Sequence, residues 1–171
     1  LAGKDSKPDT EDDGAAGMSD APLIEALRAR FPDLAPRPVD SAPSVVIEAA
    51  RLREHLLFLR DELHFDFLTF MTAIDRPAER RLEIIYRLFS YESRLALMVR
   101  ALLPRQGARV DTVSDIYRTA EWHEREAAEM FGIVFTNHPD PRKLLLPDDL
   151  DGHPLLKDFT HPNMRRLPEA S

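Results

Sequence analysis

The sequence predicts an α+β fold, a two-layer sandwich in which a mostly antiparallel sheet is packed with helices, followed by an extended Pro-rich C-terminal arm. Three observations carry this reading. A strand, a helix and a meander of three strands follow one another between Ser44 and Leu102, an order that lays one helical layer on a sheet. A second helix runs up to Gly132, the residue type that ends helices in the left-handed conformation. Beyond it Pro139, Pro141, Pro147, Pro154 and Pro162 recur too often for a helix or an interior strand. Yet Leu144, Leu145, Leu146, Leu150, Leu155, Leu156 and Phe159 are not the composition of a free tail.

Taken in order, residues 1–18 are rich in Asp, Glu, Gly and Ala and read as a flexible leader. From Asp20 an amphipathic helix is expected, with Leu23, Ile24, Leu27 and Phe31 at helical spacing, before Pro32, Pro36 and Pro38 make a loop. Ser44–Glu48 is a short strand around Val45, Val46 and Ile47. Over 50–63, Leu52, Leu56, Leu59 and Leu63 form one helical stripe. Phe65–Ile74 is apolar on both faces, as a central strand is. A turn around Pro77 leads to a strand over 82–89 that alternates Leu82, Ile84, Tyr86 and Leu88 against a wetter face of Glu83, Ile85 and Arg87. A third long strand follows over 95–102, and 112–117 reads as a short helix. The resulting division is the leader, a core domain over 19–135 that includes the helix at 119–131, and an arm over 136–171 shaped to lie along another surface.

Composition excludes several classes of function. The hydrophobic fraction is 43% and no run approaches a membrane span. Cysteine is absent, which removes disulfides, thiolate chemistry and cysteine-bound clusters from this chain. A formal net charge of −7 argues against nucleic acid, whose binding rests on neutralising phosphates. With six glycines, phosphate-cradling loops are missing. Six histidines invite a metal, but His138, His153 and His161 each precede a proline at spacings that match no compact zinc motif. Asp148, Asp149 and Asp151 read as turn residues before Gly152 rather than an acid/base pair.

On the helix ending at Gly132, Thr119 stands at the N-cap and Glu121 in the first turn. Trp122, Ala127, Met130 and Phe131 define an apolar arc, and Glu126 falls inside it. A carboxylate there predicts a buried charge with a basic partner, Arg142 or an arginine from another subunit. Arg125 and Glu129 lie four apart on the neighbouring, solvated face.

The run from Glu124 to Leu145, E-R-E-A-A-E-M-F-G-I-V-F-T-N-H-P-D-P-R-K-L-L, resembles the signature of the 30 kDa subunit family of respiratory complex I, the family of the bacterial NADH–quinone oxidoreductase C subunit. Glu124, Arg125, Glu126, Glu129, Met130, Phe131, His138 and Arg142 fill the family's places, with Gly132 and Pro139 inside the run. The following stretch, with Pro147, Asp148, Asp149, Gly152, His153, Pro154, Lys157 and Asp158, is similar to the family's arm. It departs at Leu156, where an arginine is usual, so that interface charge is not carried over.

The resemblance implies a structural subunit of the peripheral arm of a proton-pumping complex, docked through these residues on the 49 kDa-type subunit near the quinone-reducing end. The adjacent iron–sulfur and quinone-site subunits are implied as neighbours. It implies no catalytic, cofactor-binding or metal-binding residue in this chain, with FMN and iron–sulfur clusters held by other subunits. The membrane is reached only through the complex, on the cytoplasmic face of the inner (cell) membrane, or on the interior face of an organelle in a eukaryote. Two other readings stand beside it: the equivalent subunit of a membrane-bound hydrogenase or formate hydrogenlyase, and a stand-alone metal-binding or hydrolytic domain.

Overall fold

The structure, a computed structural model, describes residues 25–26, 28–29, 35–39 and 42–162. A five-stranded sheet has the order β1 (Ala35–Val39), β2 (Ala42–Glu48), β5 (Ala96–Pro104), β4 (Arg81–Phe89), β3 (Phe67–Arg76). Helix α1 (Leu52–Asp61) connects β2 towards β3 through a 3₁₀ turn at Ala49–Arg51 and a loop. β2 and β5 run parallel and every other pair in this sheet is antiparallel. Helix α2 (Ala120–Phe131) is framed by β6 (Arg109–Asp111) and β7 (Val134–Thr136), which pair in parallel as a second small sheet.

Strand alternation and helix periodicity meet in one core. Leu82, Ile84, Tyr86 and Leu88 face Leu97, Val99, Ala101 and Leu103 across β4 and β5, all fully or nearly buried. The expected stripe Leu52, Leu56 and Leu59 lies on them at 1% exposure or less, each such side chain stabilising by roughly 2 kcal/mol. Ala120, Ala127 and Phe131 complete the layer from α2.

The structure departs from the sequence expectation at four places. The proline loop after Pro32 is in part the strand β1, with Pro36 opposite Val45 and Pro38 opposite Pro43. At a sheet edge one side of the strand has no partner, so a residue without an N–H is tolerated there. The supposed wetter face of β4 is buried at Glu83 (3%) and Ile85 (8%). Arg76 and Arg100 pair with Glu83 and cover it, so a charge in the pattern does not mean water. The chain over 112–117 is turns, closed by Ile116 and Tyr117 N–H groups on the Val113 carbonyl. β3 runs on to Arg76, so Asp75 belongs to the strand and not to the turn at Pro77. Of the expected first helix, Glu25, Ala26, Arg28 and Ala29 are helical and exposed. Its apolar positions and the leader lie outside the described residues.

Tyr117 fastens these parts together. Its hydroxyl donates to the Phe65 carbonyl at 2.8 Å, and burial pushes its phenol well above the usual range. Tyr117→Phe is expected to destabilise the chain by about 1 kcal/mol. A urea titration checks this, with the midpoint lowered and the slope unchanged.

Candidate functional site

Helix α2 packs along β3 and stops at Gly132, whose φ of +75° is the left-handed end expected. A side chain at Gly132 would also meet the His153 ring at 2.6 Å. Thr119 occupies the N-cap position, but its hydroxyl donates to the Leu68 carbonyl at 3.3 Å instead of capping. The phase of the helix differs from the expected one. Glu124 (0%) and Glu129 (7%) are buried, Trp122 is 59% exposed and Glu126 is exposed. Ala120, Glu124, Ala127 and Phe131 make the inward line, three and four apart. Counting Trp122 as core rotates the arc towards Glu126, and its exposure removes that weight. Arg142 pairs with Asp140, not with Glu126.

Glu124 sits where α2 meets the turn after β6. Its Oε1 accepts from the Val113 N–H at 2.7 Å and its Oε2 from the Thr112 hydroxyl. His138 Nε2 lies 3.7 Å from Oε2 and donates to the Glu121 carbonyl at 3.0 Å, while His138 Nδ1 accepts from the Asp140 N–H. These bonds assign the neutral tautomer with the proton on Nε2. Burial pushes the Glu124 carboxyl up, against the opposing hydrogen bonds from the Thr112 hydroxyl and the Val113 N–H.

Glu129 holds the arm. Its carboxylate accepts three consecutive backbone N–H groups, from Leu144 (3.0 Å), Leu145 (2.8 Å) and Leu146 (3.2 Å). One turn earlier Arg125 donates to the Arg142 and Lys143 carbonyls and lies 5.4 Å from the Trp122 ring centroid. Lys143 folds the next turn over its own ammonium, which donates to the Pro147, Asp148 and Leu150 carbonyls. Further on, His153 Nδ1 donates to the Glu129 carbonyl and the Leu155 N–H to the Met130 carbonyl.

A second clamp uses the far end of β3. Buried Asp75 receives Arg105 in bidentate fashion at 2.7 and 2.9 Å and the Lys157 N–H at 2.8 Å. Arg105 also pairs with Asp158. The Arg105 guanidinium holds the Asp75 carboxyl below its usual range. Asp140 is held well below it too, first by Arg142 and then by Arg125.

Of the residues singled out by sequence, Glu124, Arg125, Glu129, Gly132, His138, His153, Lys157 and Asp158 are drawn into these contacts between arm and core, and Phe131 lies in the core. Pro139, Pro147, Asp148, Asp149, Gly152 and Arg142 are exposed, with Asp148 and Asp149 in a turn, and Pro154 is half-buried. Sequence reasoning misses Asp75, Arg105 and Thr112. The signal for Asp75 is a lone carboxylate closing an apolar strand, since such a charge needs a partner. A cavity of about 240 Å³ opens beside Glu124 and His138, lined by Arg125, Ala128, Ile133, Val134, Phe135 and Pro141. Among the described residues no three His, Asp or Glu side chains cluster as a metal requires, and no helix is long and apolar enough to cross a membrane.

A model of the family described as the respiratory-chain NADH dehydrogenase 30 kDa subunit matches residues 45–165. The chain is 37% identical over 137 residues to the NADH-quinone oxidoreductase C subunit of Moorella thermoacetica, covering 80% of this chain and 93% of that one. It is 35% identical to the F(420)H(2) dehydrogenase C subunit of Methanosarcina mazei, covering 80% and 89%. The solved trypsin-resistant fragment of Nqo5 superposes with a TM-score of 0.63 at 27% identity, over 72% of this chain and 99% of the fragment.

Glu129→Gln replaces an acceptor of three N–H groups by an amide with one oxygen. Amide exchange at Leu144, Leu145 and Leu146 is expected to accelerate about 10- to 100-fold, the loss of one or two charge-assisted bonds, with strand amides unchanged. The two buried acids act in opposite pH windows. Asp75, lowered from 3.8, stabilises fully above that value, and the contribution is lost as pH falls through the folded value. Glu124, raised from 4.5, makes the native state lose stability as pH rises from there through its folded value. Thermal melts against pH are expected to lose the lower slope in Asp75→Asn and the upper slope in Glu124→Gln.

Proposed function

We infer the function from membership and geometry together: the chain belongs to the family of the respiratory-chain NADH dehydrogenase 30 kDa subunit. It is a structural, non-catalytic subunit of the peripheral part of a membrane-associated respiratory complex of the NADH–quinone oxidoreductase type. It docks on the 49 kDa-type subunit, near the subunits that carry the last iron–sulfur cluster and the quinone site, and holds no redox group itself. The electron donor is set by other subunits, in keeping with relatives named for NADH and for F(420)H(2).

One observation carries the docking reading. The helix, the strand β7 and the arm that the inward contacts freeze in place also turn outward Trp122 (59%), Val134 (43%), Leu145 (61%) and Leu155 (48%). Large apolar side chains on a rigid, hydrogen-bonded frame are what a partner surface anchors on, because little side-chain and backbone freedom is lost on binding. The charged residues beside them, Glu126 and Arg142, set register more than affinity.

Pull-down through this chain from gently solubilised native membranes, with mass spectrometry and a quinone-reduction assay, tests the assignment. A multi-subunit complex with dehydrogenase activity is expected, and a chain recovered alone would remove the scaffold reading. Trp122→Ala with Leu145→Ser is expected to lower complex recovery at least tenfold while the melt of the isolated chain is kept. Undiminished recovery would move docking away from this surface.

A further inference from the structure

The sheet has a second face, pointing away from α1 and α2. Register places its side chains in rows: Phe67 and Phe89; Phe70, Arg87 and Met98; Thr72, Ile85, Arg100 and Val46; Ile74, Glu83, Leu102 and Glu48. None of these residues belongs to the apolar cluster under the helices. At one corner Tyr91 (65% exposed) meets Phe67 and Phe89 edge-on, with centroids 5.7 and 5.0 Å away. Phe67 and Phe70 are 41% and 36% exposed. The rows span roughly 300–400 Å² by strand spacing and rise; their exposed apolar part is the corner of Phe67, Phe70 and Tyr91, while Ile85 and Glu83 are buried, and clustered exposed apolar side chains of this kind mark a binding surface.

Over β3, β4 and β5 the arginines outnumber the acids, with Arg87 and the half-exposed Arg76 the cations nearest solvent and Arg100 nearly buried against Glu83. Glu83 is 3% exposed and paired with Arg76 and Arg100. Arg87 reaches the Thr69 hydroxyl at 3.4 Å. The exposed acids stand at the margins: Glu48 ends its row on β2, Glu79 pairs with Arg81 at the turn before β4, and Asp66 and Glu92 adjoin Phe67 and Tyr91 at the aromatic corner. Three guanidinium groups thus share this face with one buried acid, Glu83, which pairs with two of them, on a chain whose formal charge is −7. A basic, apolar patch on an acidic protein is complementary to a surface with apolar side chains ringed by carboxylates.

We propose that this outer sheet face is a second protein-docking surface, whose partner presents acidic side chains around an apolar patch. The proposal rests on the reading of the chain as a subunit of a larger complex, and it adds an interface separate from the helix and arm. The two surfaces then bear on different neighbours, with the sheet as the rigid wall between them.

Thr72 is exposed midway along β3 on this face, so it is the position to charge. Thr72→Glu and Thr72→Lys are nearly matched in size and opposite in charge. In native membranes, recovery of the complex through Thr72→Glu is expected to fall at least tenfold, with Thr72→Lys near wild type and both isolated chains melting as the parent does. Full recovery with Thr72→Glu overturns the proposal, and so does equal loss for both, which would mean bulk and not charge is sensed. If Leu145→Ser loses the complex while Thr72→Glu keeps it, this proposal fails alone. If both keep it, the docking reading fails too. Binding of the isolated chain to phosphatidylglycerol vesicles, abolished by Thr72→Glu, would assign the face to a lipid surface and overturn the protein partner.

Discussion

A carboxylate filled by three successive backbone amides is the interaction on which the C-terminal half depends. The arm after β7 forms no helix or strand among the described residues, so its N–H and C=O groups need partners from elsewhere. Helix α2 supplies them through charged side chains: Glu129 for three N–H groups, Arg125 for two carbonyls. Lys143 does the same within the arm. The charges of this region therefore serve the backbone first, and what is left for a partner is the apolar side chains they hold outward.

Asp75 plays the corresponding part at the other end of the arm. Because it belongs to β3, the arm is fixed to the sheet as well as to α2, and the two clamps lie on opposite sides of the Pro147–His153 turn. Removing either acid leaves guanidinium or amide donors facing a void, a heavier penalty than the pair itself contributes. The geometry explains how the stretch from Pro139 to Pro162, with its five prolines, keeps one conformation without a ladder of its own.

Much of this is legible in the residues. Leucine spacing marks α1, apolar runs mark β3 to β5, and the glycine after Phe131 marks the end of α2. The family signature is legible as a run, but its physical content is not. Helical spacing puts Glu126 inside and Glu129 outside, the reverse of what folds, because a short helix with Trp122 in it supports either phase and only packing against β3 chooses. Asp75, Arg105 and Thr112 are invisible because their partners lie 30, 30 and 12 residues away in sequence, and no local pattern reports a long-range pair. The strand β1 hides behind its prolines for the same reason: edge position is a tertiary fact.

The parallel pairing of β2 with β5 has a consequence for synthesis. Ser44 finds its neighbour only when Met98 has been made, and at roughly 5–20 residues per second that leaves β2 with one open edge for several seconds. β1 can close the opposite edge at once, being adjacent in sequence. The nascent chain is thus most prone to sticking to its neighbours just before β5 emerges. Slow translation between residues 49 and 95 prolongs that interval, whereas slow translation after 104 acts on a sheet already complete.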